Sequence, residues 1–273
     1  VSPLTVLFIV AVGFASGVLS GMFGVGGALV TTPGVRLLGA TPIEAVGSTV
    51  PAILPGAISG AWRYSRARMV DWHVALPSGL LGAGFAVVGA ELSDHINGHY
   101  LMLLTAAMLF INGMNSVRHE VQYRSTVRAA VPVGGSPIAE AVPTTSPKPP
   151  ITGLGPIAAV GAAAGLLAGL LGVGGGVLLV PAYTTLLRIP PKRAVATSLV
   201  AVAMLSIPAM ITHALLGHIN WAYALLLVIG VVPGAQLGAH LTLGASEHRL
   251  RLRTGLFFTA LAVVYGAGEL LSL

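Results

Sequence analysis

Apolar residues fall into eight blocks along the chain: Leu4–Leu38, Ile43–Trp62, Trp72–Leu92, Tyr100–Val117, Leu154–Leu187, Ala194–Leu216, Trp221–Leu243 and Leu252–Leu271. Each reaches or exceeds the length that crosses a bilayer as a helix, roughly 17–25 residues. The pattern predicts an all-α polytopic membrane protein. Between the fourth and fifth blocks lies 118–152, rich in Pro, Ser, Thr and charge, which reads as a flexible linker. The expected organisation is a first membrane repeat over 1–117, the linker over 118–152 and a second membrane repeat over 153–273.

The two halves resemble each other. Gly13–Pro33 aligns with Gly161–Pro181, with ten of 21 positions identical, including Gly24-Val25-Gly26-Gly27 against Gly172-Val173-Gly174-Gly175. One residue further out of phase, Ala45-Val46-Gly47-Ser48-Thr49 meets Ala194-Val195-Ala196-Thr197-Ser198, and Val70-Asp71-Trp72 meets Ile219-Asn220-Trp221. Gly-rich apolar segments look alike by composition. The hydroxyl pair and the Trp at constant offset are harder to explain that way, so this is an internal repeat.

Charge then sets orientation. If all eight blocks crossed once, the 14 Lys and Arg would divide seven and seven between the two sides, against the positive-inside rule. If Leu154–Leu187 enters and returns on one side, 13 of the 14 share a face and only Arg36 lies opposite. At 34 residues that block is too long for one span and too short for two, and Gly172–Gly176 sits near its middle. Symmetry predicts a matching hairpin around Gly24–Gly27. Each half becomes a short broken-helix hairpin of two partial helices plus three transmembrane helices, and an odd number of crossings inverts the second repeat. The central linker is then cytoplasmic and both termini outside, in a multi-pass protein of the cell membrane. A signal peptide over Leu4–Ser20 is the competing reading, but that stretch lacks a basic start and its pattern recurs at 154–168.

Composition agrees: 55% of residues are hydrophobic, only 8% are charged, and mean hydropathy is +0.89. The net charge of +6 is accounted for by orientation, so no nucleic-acid partner is expected. The absence of Cys removes disulfides and thiolate chemistry. No phosphate-binding loop, zinc-protease motif or nucleophile–base constellation appears, so no enzyme, metal site or cofactor is expected.

Candidate chemistry lies at the glycines. Non-helical backbone at membrane depth is tolerated where it lines a wet cavity or is buried in protein. A helix that restarts after such a break presents unpaired N–H groups, which suit an anion without a Lys or Arg. Candidate binding residues are therefore Gly24, Gly26, Gly27, Gly172, Gly174, Gly175 and Gly176, with the hydroxyls of Ser48, Thr49, Thr197 and Ser198. Bonding to a backbone carbonyl is the plainer role for those hydroxyls, and helix packing is the plainer role for Gly13, Gly17 and Gly21. Asn112, His213, Gln236 and His240 are polar within apolar blocks and are further candidate contacts, or else satisfied interhelical partners.

The paired glycine runs, each preceding a Pro and then an Ala-x-x-Ser/Thr-Ser/Thr element, occur with His213…Gly217-His218-Ile219-Asn220-Trp221. Together they resemble the TauE/SafE family of sulfite and organosulfonate exporters, within the 4-toluene-sulfonate-uptake-type permease superfamily. The first half departs from the pattern at Ala28 and at Tyr64, which aligns with His213. The resemblance implies movement of a small sulfur oxyanion or sulfonate across the cytoplasmic membrane. The expected function is a secondary transporter working by alternating access at a midplane site. A non-transporting scaffold or partner subunit and an anion channel are the alternatives, and a homo-oligomer is left open.

Overall fold

The computed structural model describes residues 3–130, 153–245, 255–263 and 266; of 116, 117 and 119–130 it describes the helical backbone. The described residues are helical in ten segments. In chain order these are α1 (Pro3–Phe23), α2 (Ala28–Arg36), α3 (Pro42–Arg66), α4 (Trp72–His95), α5 (Gly98–Ala130), α6 (Leu154–Leu171), α7 (Gly176–Thr185), α8 (Pro191–Leu215), α9 (Trp221–Gly244) and α10 (255–263). Five of them, α1, α4, α6, α8 and α9, are long and apolar enough to cross a membrane. The protein is a multi-pass membrane protein.

Its packing is that of a protein dissolved in lipid. Along α4 the buried positions include Ala75, Ser78, Gly79, Gly82, Ala86, Gly89, Ala90 and Ser93. Leu76, Leu80, Leu81, Phe85, Val88 and Leu92 on the same helix are exposed. Small residues inside and large apolar ones outside reverse the soluble pattern. This arrangement lets backbones approach closely where hydrocarbon solvates the outer face.

Those close approaches cross the repeat boundary. Gly13, Gly17 and Gly21 of α1 abut the backbone at Leu227, Val231 and Ala235 of α9, while Gly161, Gly165 and Gly169 of α6 abut Ser78, Gly82 and Ala86 of α4. The first helix of each half is thus packed on the third long helix of the other. Neither half forms a separate body, because the main core cluster also draws on both.

Each glycine break turns the chain back on itself. The carbonyl of Gly27 accepts the Ser16 hydroxyl, and Gly34 in α2 lies against Val12 in α1. Gly175 lies likewise against Ala164 of α6. The expected hairpins are present, but they are not pairs of partial helices. α1 has 21 residues and α6 has 18, about 31 and 27 Å at 1.5 Å per residue. The returning arms α2 and α7 have only 9 and 10. The long arms stay unbroken because each must run the length of its partner helix, α9 or α4, to bury its glycine face.

The polar segment also differs from the flexible linker expected over 118–152. α5 continues through it as far as Ala130, and 131–152 lies outside the described residues.

Candidate functional site

Between α1 and α2 the chain adopts left-handed backbone at Gly24 (φ 73°), Gly26 (φ 83°) and Gly27 (φ 86°). The second break repeats this at Gly172 (φ 61°), Gly174 (φ 81°) and Gly175 (φ 69°). A Cβ is disfavoured in this region, so the glycine runs serve the turn itself and exceed what helix packing requires. Gly176 is different: it opens α7 in helical conformation and lies against Gly24 and Val25, where its missing side chain lets the two breaks touch.

The breaks converge on shared neighbours. A Cβ on Gly26 would sit 3.2 Å from Ile53 and 3.2 Å from Val202; one on Gly174 would sit 3.0 Å from Ile53 and 3.3 Å from Val202. Ile53 and Val202 are themselves equivalent positions of the repeat, midway along α3 and α8. The centre is closely packed. The cavity beside the second break, lined by Leu171, Val173 and Gly175 among others, measures about 10 Å³, room for at most one water.

The four hydroxyls surround this centre, all fully buried and all with backbone partners. Ser198 donates to the carbonyls of Gly24 (3.0 Å) and Val195 (2.9 Å), and Thr49 donates to Val46 (2.9 Å). Ser48 accepts the N–H of Asn220 at 2.8 Å, and Thr197 accepts the N–H of Asp71 at 3.0 Å. Asp71 and Asn220 are the residues that open α4 and α9. Each hydroxyl of the second pair therefore ties its own helix to the start of a helix from the other half. What the arrangement holds is the relative position of the halves next to the breaks.

His213 is also buried, with Nε2 donating to the Gly169 carbonyl at 3.1 Å. Its equivalent Tyr64 donates its hydroxyl to Gly21 at 2.8 Å, so each break is preceded by a long helix whose last turn is capped from α3 or α8. The other polar candidates lie away from the breaks. Asn112 donates to Met108 of its own helix (2.9 Å), whereas Gln236 and His240 lie on the exposed face of α9, with His240 Nδ1 2.7 Å from the Arg63 guanidinium. His218, Asp94 and Asn220 gather near the second break without having been singled out by apolar surroundings, since all three lie at helix ends or in a loop. His218 and Asn220 were visible in the motif that carries the family resemblance, whereas Asp94, which the repeat pairs with Leu243, had no signal in the sequence.

Span-length apolar helices, with two glycine breaks meeting among them, describe a polytopic membrane protein, and the family match makes it a transporter. The chain belongs to the sulfite exporter TauE/SafE family, whose family model matches residues 9–265. It is 27% identical over 252 residues to the probable membrane transporter protein YunE of Bacillus subtilis strain 168, covering 86% of this chain and 88% of that one. It is 29% identical over 261 residues to a probable membrane transporter protein of Xylella fastidiosa strain Temecula1, covering 92% and 90%. An archaeal relative, the probable membrane transporter protein MJ0441 of Methanocaldococcus jannaschii, is 22% identical over 268 residues, with 89% of each chain covered. No solved structure matches the chain.

Proposed function

We propose that the protein is a secondary transporter, working as an exporter, of a small sulfur-containing anion such as sulfite or an organosulfonate. The observation that carries this reading is the approach of Gly26 and Gly174, one from each break, to the same two side chains, Ile53 and Val202. α2 and α7 both restart at this centre, and their first N–H groups lack partners within the helix. Two helix N-termini offer an anion neutral donors with partial positive charge. Such a site binds reversibly and avoids burying an unpaired cation in the membrane.

The close packing at the centre fits an occluded state. Alternating access then consists of separating the contacts between halves, so that Ile53 and Val202 part toward one side or the other. The halves, 1–117 and 153–273, act as inverted repeats. The positive-inside rule places 118–152 in the cytoplasm and both termini outside, with Arg36 the one outward-facing cation among the 14. Thermal-shift binding and flux of labelled sulfite and methanesulfonate in proteoliposomes test the reading. Saturable flux of either anion supports it, and neither binding nor flux of any sulfur oxyanion or sulfonate would overturn it.

A further inference from the structure

Near the second break lies a chain of titratable groups with no counterpart at the first. His213 Nε2 is 3.1 Å from the Gly169 carbonyl, His213 Nδ1 is 3.1 Å from His218 Nδ1, and His218 Nε2 is 3.0 Å from Asp94 Oδ1. His213 is fully buried and His218 nearly so, while the Asp94 side chain is 47% exposed. His218 is seated against Gly47 of α3, beside Ser48, and lines an open recess of about 530 Å³ that also contains Glu44. Asp94 lines an adjoining recess with His99. α6, packed behind His213, carries no titratable residue. The charged or titratable groups facing the pair are therefore Asp94 from α4, Glu44 from α3 and His99 from α5.

Protons can be counted along this chain. Three hydrogen bonds need three protons, one between each neighbouring pair of groups. Two neutral imidazoles beside an ionised carboxylate supply two. The Gly169 carbonyl can only accept, so His213 must carry a proton on Nε2. If His218 then donates to an ionised Asp94, one proton is still required between the two Nδ1 atoms. If Asp94 is the protonated partner, it donates to His218 Nε2 and His218 Nδ1 donates to His213. Both distributions hold one proton more than the neutral pair with its carboxylate.

We infer that His213 and His218, reached through Asp94, form the proton-binding site that couples transport to the proton gradient. This rests on the transporter reading above. The extra proton enters from water in the Asp94 recess and, for transport to draw on the gradient, leaves to the opposite side when the halves part. When the extra proton is on the imidazoles, the positive charge lies near the C-terminal end of α6, where the helix dipole favours a cation. When it leaves, two Nδ1 lone pairs oppose each other at 3.1 Å, and one ring must turn. Turning His213 releases the Gly169 carbonyl, three residues before Gly172 opens the break. Proton occupancy is thereby tied to the geometry of the break.

The repeat makes this device one-sided. Backbone geometry is the same in both halves: Arg68 (φ 54°) matches Gly217 (φ 73°), and Met69 N–H to Tyr64 carbonyl (3.1 Å) matches His218 N–H to His213 carbonyl (3.0 Å). The side chains differ. Where the second repeat has His213 and His218 with Asp94, the first has Tyr64 and Met69 with Leu243. A neutral phenol caps Gly21 with its own proton, so only one of two equivalent positions exchanges a proton, and in this conformation it opens to the Asp94 recess.

The test uses full-length protein with ¹⁵N-labelled histidine, and two variants, His218→Met, which copies the first repeat, and Asp94→Asn. Wild type should show the two ring nitrogens sharing one proton that is lost as the pH is raised. His218→Met should abolish it. In proteoliposomes with the membrane potential clamped, one pH unit should sustain roughly a tenfold gradient of whichever of sulfite or methanesulfonate wild type carries. That is the limit for one proton per anion. Both variants should retain anion exchange at equal pH and sustain no gradient. If both rings remain neutral at every pH at which wild type sustains a gradient, or His218→Met sustains the wild-type gradient, the inference is overturned. If wild type carries no anion at all, the transporter reading fails instead, and the nitrogen titration alone decides whether the proton site exists.

Discussion

Gly174→Ala separates the cost of a strained backbone from the role of the break. At φ 81° an added Cβ costs about 1–2 kcal/mol, whatever surrounds it. That Cβ would also meet Ile53 at 3.0 Å and Val202 at 3.3 Å, forcing both to move by a few tenths of an ångström. Overpacking of this kind adds roughly 1–3 kcal/mol. Gly39→Ala is the matched control, because Gly39 has φ 91° and nothing lies within 4 Å of the position an added Cβ would take. It carries the dihedral cost alone. Both variants should therefore show a lower thermal midpoint, Gly174→Ala the more so. Only Gly174→Ala should lose anion binding: a blocked N–H contact to a charged ligand is worth about 1.5–3 kcal/mol, roughly 10- to 100-fold in affinity. Gly26→Ala should match it, since it meets the same two side chains. Equal anion affinity and flux in Gly174→Ala and Gly39→Ala would refute the assignment of the breaks as the binding site.

Ser48→Ala strips the acceptor from a partly buried N–H at the start of α9, and should lower stability by about 1 kcal/mol in chemical or thermal denaturation; Ser48→Thr should restore most of it. Gly165→Leu places a branched side chain where a Cβ already overlaps the Gly82 carbonyl. It should drive α4 and α6 apart and abolish recovery of monodisperse protein, whereas Gly155→Leu, with open space around it, should express normally. The chain contains no Cys, so single cysteines at Arg66 and Arg188 give a clean topology test. An impermeant maleimide should label both from the cytoplasmic side, and labelling from opposite sides would exclude the hairpin arrangement.

Much of this protein was legible before folding. Hydropathy marked the membrane blocks, because hydrocarbon solvates apolar side chains and leaves few other options for the backbone. The glycine runs marked the breaks, because consecutive left-handed residues strongly favour glycine. The repeat and the uneven placement of Lys and Arg carry the proposed plan of two inverted halves. The lengths of the hairpin arms were not legible, because they depend on what each arm packs against. α1 remains helical for 21 residues since α9, from the other half, offers it a complementary face.

The same limit applied to the polar residues. Ser48, Thr197 and Ser198 were visible as hydroxyls, but only the fold showed that they bind backbone groups from the opposite half. Gln236 and His240 stood out by their apolar surroundings, yet the rotation of α9 turns them outward. His213 and His218 stand in one motif, but Asp94, 124 positions from His218, carries no sequence link to them. Hydropathy and local geometry act over a few residues and can be read from a chain. Which groups share a proton depends on distances between helices, and those are set only when the helices pack.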